Sequence, residues 1–199
     1  TVLFWGSSFP LMTFLLETMS PMELALSRFF FPALLSLFYI CLLKVWIDKI
    51  DVFRFLMAGM TGIFGFALFI NIGQQSMTAG AGSFIVNCNP LFTSLIGFFI
   101  LKQRVKQYFW LGIIICIIGI LIISLENQDK ISFNIGSLYL LIAAILVSCY
   151  FHITKPLVIK YGALKTFCFT LFLGTIPMLL WTTDTYQLIR NATNEIMLA

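Results

Sequence analysis

Seven long apolar runs, separated by short polar linkers, constrain the fold of this chain more than any other feature. Each run approaches the roughly 20 residues that an α-helix needs to cross the hydrocarbon core of a bilayer. The runs, which we call spans 1 to 7, cover residues 1–16, 22–43, 53–77, 81–101, 108–125, 136–157 and 166–181. The sequence therefore predicts an all-α fold, a polytopic membrane helical bundle.

Composition argues against a soluble domain. Hydrophobic residues make up 60% of the 199 residues, and charged residues make up only 10%. An average soluble protein carries about 25% charged residues. Because this chain has so little polar surface to offer water, we expect most of its apolar side chains to face lipid or other helices.

The basic residues predict the orientation of the spans. Lysine and arginine are concentrated in or next to the linkers that follow spans 2, 4 and 6. They are Lys44, Lys49, Arg54, Lys102, Arg104, Lys106, Lys155, Lys160 and Lys165. By the positive-inside rule we expect these linkers to face the cytoplasm. The net charge of +4 then reflects membrane topology and indicates no nucleic-acid partner.

Side-chain amides interrupt spans 3 and 4 at Asn71, Gln74, Gln75, Asn87 and Asn89. Lipid offers them no hydrogen-bond partner, so they must bond to protein or line a wet cavity. Two interpretations follow: the amides only join helices to one another, or both helices border a cavity. For the cluster as a whole we predict a cavity.

Span 4 supports this prediction because its small and polar residues recur every three or four positions. They are Gly80, Ser83, Asn87, Pro90, Ser94 and Gly97. Prolines inside spans either kink a helix or break it, and broken helices are typical of secondary transporters. Those prolines are Pro10, Pro32, Pro90 and Pro177.

Other side chains also qualify for a substrate pathway. Arg28 is the one cation well inside a span. It is predicted either to pair with Glu17 or Glu23, or to hold a substrate carboxylate with its guanidinium group. The predicted pathway residues are Trp5, Ser8, Arg28, Asn71, Gln75, Ser83, Asn87 and Tyr150.

Nothing in the sequence predicts catalysis, a metal site or a cofactor. There is a single histidine, His152, and no span contains an acidic pair in its interior. The five cysteines include no CxxC pair. We therefore expect a protein that is not an enzyme.

Four segments, taken in order, resemble the first repeat of EamA-type transporters in the drug/metabolite transporter (DMT) superfamily. They are LFWGSSFP at 3–10, SPMELALSRF at 20–29, SMTAGAGSFIVNCNPLFTSLIGFFILKQRV at 76–105 and WLGIIICIIGILII at 110–123. The resemblance implies ten helices in two inverted five-helix repeats, with substrate passing between them. One departure is Gln103, where the family usually carries a glutamate.

The resemblance divides the chain into residues 1–125 as the first repeat, 126–135 as an outer linker and 136–199 as the start of the second repeat. We expect the chain to be part of a longer protein whose first helix begins before Thr1. The implied function is secondary transport of small metabolites or amino-acid-like compounds, by export or exchange, in the inner cell membrane. The alternative is a structural or partner-binding membrane subunit. The expected partners are a small-molecule substrate and the lipid bilayer.

Overall fold

A computed structural model describes residues 2–42, 44, 46–100, 102, 107–125 and 135–181. Within these ranges the side chains of 2–5, 107, 116, 120, 121, 123–125, 180 and 181 are not described. The predicted linker is outside the described residues except for residue 135, and so is the chain after residue 181.

Seven helices and no strand form the described part of the chain, which confirms the all-α prediction. They are α1 (Val2–Leu15), α2 (Pro21–Leu42), α3 (Lys49–Gln74), α4 (Ala79–Phe99), α5 (Gln107–Leu125), α6 (Ile135–Tyr161) and α7 (Ala163–Thr175). A 3₁₀ turn, Ile176–Trp181, continues α7. Each helix corresponds to one predicted span.

Four of these helices, α2, α3, α4 and α6, are long and apolar enough to cross a membrane. At 1.5 Å per residue, the 22 residues of α2 extend about 33 Å, which matches the thickness of the hydrocarbon core. Large apolar side chains on the outside of the bundle, such as Phe14, Phe31, Phe38 and Ile115, are 65% to 69% exposed. Lipid is the solvent that suits such a surface.

The start of α2 follows from its sequence. Ser20 and Glu23 form a capping box: the Ser20 hydroxyl accepts from the Glu23 amide at 3.3 Å, and the Glu23 carboxylate accepts from the Ser20 amide at 2.7 Å. Pro21 occupies the first helical position, where its missing N–H costs nothing. Helix α2 thus begins one residue before predicted span 2.

Helices α3 and α6 run antiparallel at the centre of the bundle, and glycine residues let their backbones approach closely. A Cβ atom on Gly73 would lie 2.8 Å from the carbonyl oxygen of Gly136. Gly59 is similarly close to Gly174 of α7, whose amide nitrogen would lie 2.8 Å from such an atom. Small residues at these crossings let the backbones meet, as is common in membrane bundles.

The two central packing regions lie on either side of α3. One joins α3 to α1, α4, α6 and Leu24 of α2, and the other joins α3 to α2, α7 and the 3₁₀ turn after it. The first contains Phe9, Met12, Leu24, Ile70, Met77, Ala81, Ile85, Val86, Cys88, Leu140 and Ala143. The second contains Met22, Ala25, Leu26, Ile63, Ala67, Leu171 and Met178. We refer below to the two ends of the bundle as the Gln74 end and the Asp51 end.

Two helices depart from regular α geometry near their middle. In α3 a π-helical turn covers Met60–Gly65. In α4 the first segment ends at Asn87 and the second begins at Asn89, with Cys88 between them. Pro90 lacks the N–H that would continue the first segment, so of the two interpretations left open for prolines, kink or break, α4 shows a break. By contrast, α1 and α2 continue through their prolines.

Candidate functional site

A cavity of about 290 Å³ lies at the Gln74 end, between the end of α1 and the end of α3. Its lining residues are Thr13, Leu16, Glu17, Gln74 and Gln75. Thr13 lies in the last turn of α1, and Glu17 lies in the turn that follows the helix. The cavity therefore joins a hydroxyl, a carboxylate and two amides.

Gln74 is held in a fixed orientation. Its Nε2 donates to Thr13 Oγ1 at 3.2 Å and to the Met77 carbonyl at 3.1 Å. The Thr13 hydroxyl donates its own proton to the Phe9 carbonyl, so it accepts from Gln74. Gln74 is only 1% exposed, and its Oε1 has no donor among the described residues. That oxygen lies over Gly82 of α4, which has no side chain to displace it.

Asn71, one turn earlier on α3, is fully buried and joins α3 to α2. Its Nδ2 donates to the carbonyl of Pro21 at 2.8 Å. Its Oδ1, like Oε1 of Gln74, lacks a donor within the described part of the chain. The structure therefore places Asn71 in the contact between α2 and α3. Gln75, which was also predicted for the pathway, is exposed and lines the cavity.

Ser83 and Asn87 lie together on the exposed side of α4, away from the cavity lining. The Asn87 amide donates to the Ser83 carbonyl at 2.7 Å, and the Ser83 hydroxyl donates to the Gly80 carbonyl at 2.8 Å. Further along the same stripe, Ser94 donates to the carbonyl of Pro90 at 2.8 Å. These donors therefore bond to their own helix, and the role of the predicted stripe in a pathway stays a prediction.

Arg28 forms neither of the ion pairs expected with Glu17 and Glu23. Its Nη1 donates to the sulfur of Met12 at 3.3 Å, and its guanidinium lies 5.9 Å from the centre of the Phe29 ring. Glu23 is unavailable because its carboxylate caps α2 at Ser20. The ion-pair interpretation of Arg28 is therefore wrong for these two glutamates.

The remaining predicted pathway residues are dispersed. Ser8 is half-buried in α1, and the side chain of Trp5 is outside the described residues. Tyr150 of α6 is half-buried, with its ring over Gly62 in the π-helical turn of α3. Of the predicted set, only Gln75 lines the cavity at the Gln74 end, so the assignment of the others to a pathway stays a prediction.

Two hydrogen bonds fix α6 against the second segment of α4. The Ser148 hydroxyl lies 3.0 Å from the Asn89 carbonyl oxygen and shares its one proton between this oxygen and the Ala144 carbonyl of its own helix, at 2.7 Å. One turn later, His152 Nε2 lies 2.8 Å from the Thr93 carbonyl oxygen. The equal spacing on both helices sets their register. His152 thus contacts a backbone carbonyl, and no group of three or more His, Cys, Asp or Glu suited to a metal occurs in the described ranges.

At the Asp51 end, charged side chains connect α3 to α6. Lys160 Nζ lies 2.6 Å from Asp51 Oδ2 and 2.5 Å from Asp48 Oδ2. Tyr161 donates to Asp51 at 2.7 Å and accepts from the Asp48 amide at 3.1 Å. The hydrogen bond from Lys160 holds the pKa of the Asp48 carboxyl below its usual value.

Sequence reasoning missed Thr13 and Glu17 of the cavity lining as pathway residues, and it ranked Gln75 above Gln74. The sequence feature that could have identified them is their four-residue spacing at the end of span 1, which would put both polar groups on one face if the helix continued to Glu17. The partner helix for that face is set by packing between distant segments.

The apolar outer surfaces, the membrane-length helices and the enclosed polar groups define a multi-pass α-helical membrane protein. The sequence model of the EamA-like transporter family matches residues 1–125. The chain belongs to this family, which confirms the resemblance seen in its sequence. No solved structure matches it.

Curated relatives are named as transporters. The chain is 30% identical over 178 residues to the uncharacterized transporter YdfC of Bacillus subtilis, covering 89% of this chain and 58% of the relative. It is 25% identical over 180 residues to a probable terminal-alkyne amino-acid exporter of Streptantibioticus cattleyicolor, covering 90% and 60%. It is 30% identical over 131 residues to a probable amino-acid metabolite efflux pump of Salmonella typhimurium, covering 64% and 42%. The chain therefore spans about three-fifths or less of the length of these relatives.

Proposed function

We propose that the full-length protein is a secondary transporter that moves small metabolites, in particular amino-acid-like compounds, by alternating access between two inverted repeats. The observation that carries this proposal is the polar cavity at the Gln74 end. A carboxylate, a hydroxyl and two amides meet there, between helices whose outer surfaces are apolar. In a membrane, polar groups that line a cavity mark a solute pathway.

The irregular backbone of α3 and α4 supports the alternating-access part of the proposal. A π-helical turn at Met60–Gly65 and a break at Cys88 each give a helix a point at which it can bend. Gly59, just before the π-helical turn, contacts α7, and Gly62, within that turn, contacts α6. Neither residue has a side chain. These contacts place the irregular part of α3 directly against both neighbouring helices.

The names of the relatives support the substrate class. Two of them are described as an amino-acid exporter and an amino-acid metabolite efflux pump. We propose export or exchange of such compounds across the inner cell membrane, by a multi-pass carrier without enzymatic activity or a cofactor.

One set of observations favours a second candidate, a structural or partner-binding membrane subunit. Asn71 bonds to Pro21, Ser148 bonds to Asn89, and His152 contacts Thr93. In each case a polar group joins two helices and is not among the residues that line the cavity at the Gln74 end, as is typical of a scaffold.

Transport by the purified full-length protein in liposomes separates the two candidates. Liposomes preloaded with a mixture of unlabelled L-amino acids are diluted into each radiolabelled L-amino acid in turn. A carrier accumulates at least one label by counterflow, above the level of protein-free liposomes and of liposomes with heat-denatured protein. A scaffold gives no accumulation of any label or of small amines and metabolites tested in the same way, and that result would overturn the proposal.

A further inference from the structure

We infer that the cavity at the Gln74 end binds the ammonium group of the transported compound, with Glu17 as its counterion. This inference rests on the transport function proposed above and adds the chemistry of the site. It depends on three properties of the lining: its charge, its remaining hydrogen-bonding capacity and its size.

The charge of the lining is negative. Glu17 is the one formally charged residue of the five that line the cavity. It forms no ion pair with another residue that the structure describes, and the guanidinium of Arg28 is directed to the sulfur of Met12. Glu17 is exposed in the turn that follows α1, and a carboxylate there without a counterion among the described residues attracts a cation.

The remaining hydrogen-bonding capacity consists mainly of acceptors. Both described bonds of Gln74 Nε2 go to protein atoms, and the proton of the Thr13 hydroxyl goes to the Phe9 carbonyl. What Thr13 and Glu17 can still offer a ligand is therefore oxygen lone pairs, whereas Gln74 Oε1 is buried over Gly82. Gln75 adds an amide that is able to donate or accept. An ammonium group, with three donors and no acceptor, complements this lining, whereas a carboxylate does not.

The size of the cavity limits the ligand. Pockets for drug-sized ligands occupy about 300–1,000 Å³, and this cavity, at about 290 Å³, is just below that range. It therefore suits the ammonium end of a small molecule such as an amino acid or a short amine.

Cysteine modification measures the local charge independently of transport. In detergent-solubilised full-length protein, Leu16→Cys places a thiol in the lining without removing a polar group. Its modification rate is measured with a cationic trimethylammonium-ethyl and an anionic sulfonatoethyl methanethiosulfonate, after subtraction of the rate for protein with native Leu16. Glu17→Gln should lower the cation-to-anion rate ratio about tenfold, whereas Glu17→Asp should largely keep it. An unchanged ratio with Glu17→Gln would overturn the inference.

Protection by a defined probe tests binding directly. n-Propylammonium should slow the modification of Leu16→Cys by neutral methyl methanethiosulfonate at least threefold, and propionate at the same concentration should not. The effect should disappear with Glu17→Gln. Equal protection by both probes, or none by propylammonium, would contradict an ammonium site, and this comparison does not require the Glu17 variant to fold.

The result is distinguishable from failure of the proposed function. Protection without counterflow in liposomes would support the ammonium site and contradict the carrier. Counterflow without protection would support the carrier and overturn the ammonium site.

Discussion

Lys160, next to the last residue of α6, donates a hydrogen bond of 2.6 Å to Asp51 at the start of α3, although 109 residues separate them in the sequence. Asp51 is only 5% exposed, and Tyr161 donates to the same carboxylate oxygen. The contact joins the predicted first repeat to the first helix of the predicted second repeat. It therefore fixes the relative position of the two central helices at this end of the bundle.

Removing either partner should destabilise the protein. Asp51→Asn or Lys160→Met should lower the Tm of the detergent-solubilised full-length protein by about 3–6 °C, because each removes the charge-assisted hydrogen bond between the Asp51 carboxylate and the Lys160 ammonium. Arg54→Gln is the matched control, since Arg54 is 3.8 Å from Asp51 and its side chain is 59% exposed. Equal Tm changes in Arg54→Gln and Lys160→Met would contradict a specific role for Lys160.

Acid should weaken the same cluster through Asp48. Its pKa is lowered in the folded protein by Lys160, so its contribution to stability is present above the unfolded value of about 3.9 and is lost as pH falls through the lower folded value. The difference in Tm between wild type and Asp48→Asn should thus be constant at neutral pH and shrink below about pH 4. A Tm difference between wild type and Asp48→Asn that grows on acidification would contradict this prediction.

Gly82→Ala should displace the amide of Gln74. The added Cβ would overlap Oε1, and moving the amide breaks its bonds to Thr13 and Met77, at a cost of about 1–2 kcal/mol. Gly80→Ala is the control because an added Cβ meets nothing within 4 Å there. Chemical unfolding of both variants gives the comparison.

A double-mutant cycle tests the cause of the Gly82 effect. In a Gln74→Ala background the overlap no longer exists, so Gly82→Ala should then cost about as little as Gly80→Ala. If Gly82→Ala lowered the free energy of unfolding as much in that background as in wild type, its effect would come from another contact.

Gly174→Ala should destabilise the protein more than Gly82→Ala, because the added Cβ would overlap a backbone atom and not a side chain. Its Cβ would lie 2.5 Å from the carbonyl oxygen of Gly59, so α3 and α7 would have to separate. We expect a loss of about 2–3 kcal/mol, measured by the same unfolding assay. Gly112→Ala, which meets nothing within 4 Å, should be near neutral. A Gly174→Ala protein as stable as wild type would show that this crossing is not tightly packed.

The helices and much of their irregularity could be predicted from sequence because these features are local. Runs of apolar residues give the seven helices, Ser20 and Glu23 give the start of α2, and Pro90 gives the break in α4. Each depends on residues within one or two turns. Family membership was also predictable, because the motifs that carry it lie in order along the chain.

The site was less predictable because it depends on how distant helices meet. Gln74 and Gln75 are adjacent, and nothing local shows that the first is buried over Gly82 while the second is exposed to the cavity. The pairing of Arg28 failed because Glu23 was already committed to the helix cap. The π-helical turn beneath Tyr150 likewise has no signal beyond its glycines.

The central claim is that the cavity lined by Gln75 belongs to a substrate pathway, to which the sequence also assigns Asn87. Its most direct test is the initial rate of counterflow by the full-length protein in liposomes. The double variant Gln75→Ala, Asn87→Ala is compared with wild type and with Ile115→Val, a change on the lipid-facing surface. We predict that the double variant transports at least about tenfold more slowly with unchanged Tm and elution volume, while Ile115→Val transports normally. A folded double variant with the wild-type rate would contradict the pathway.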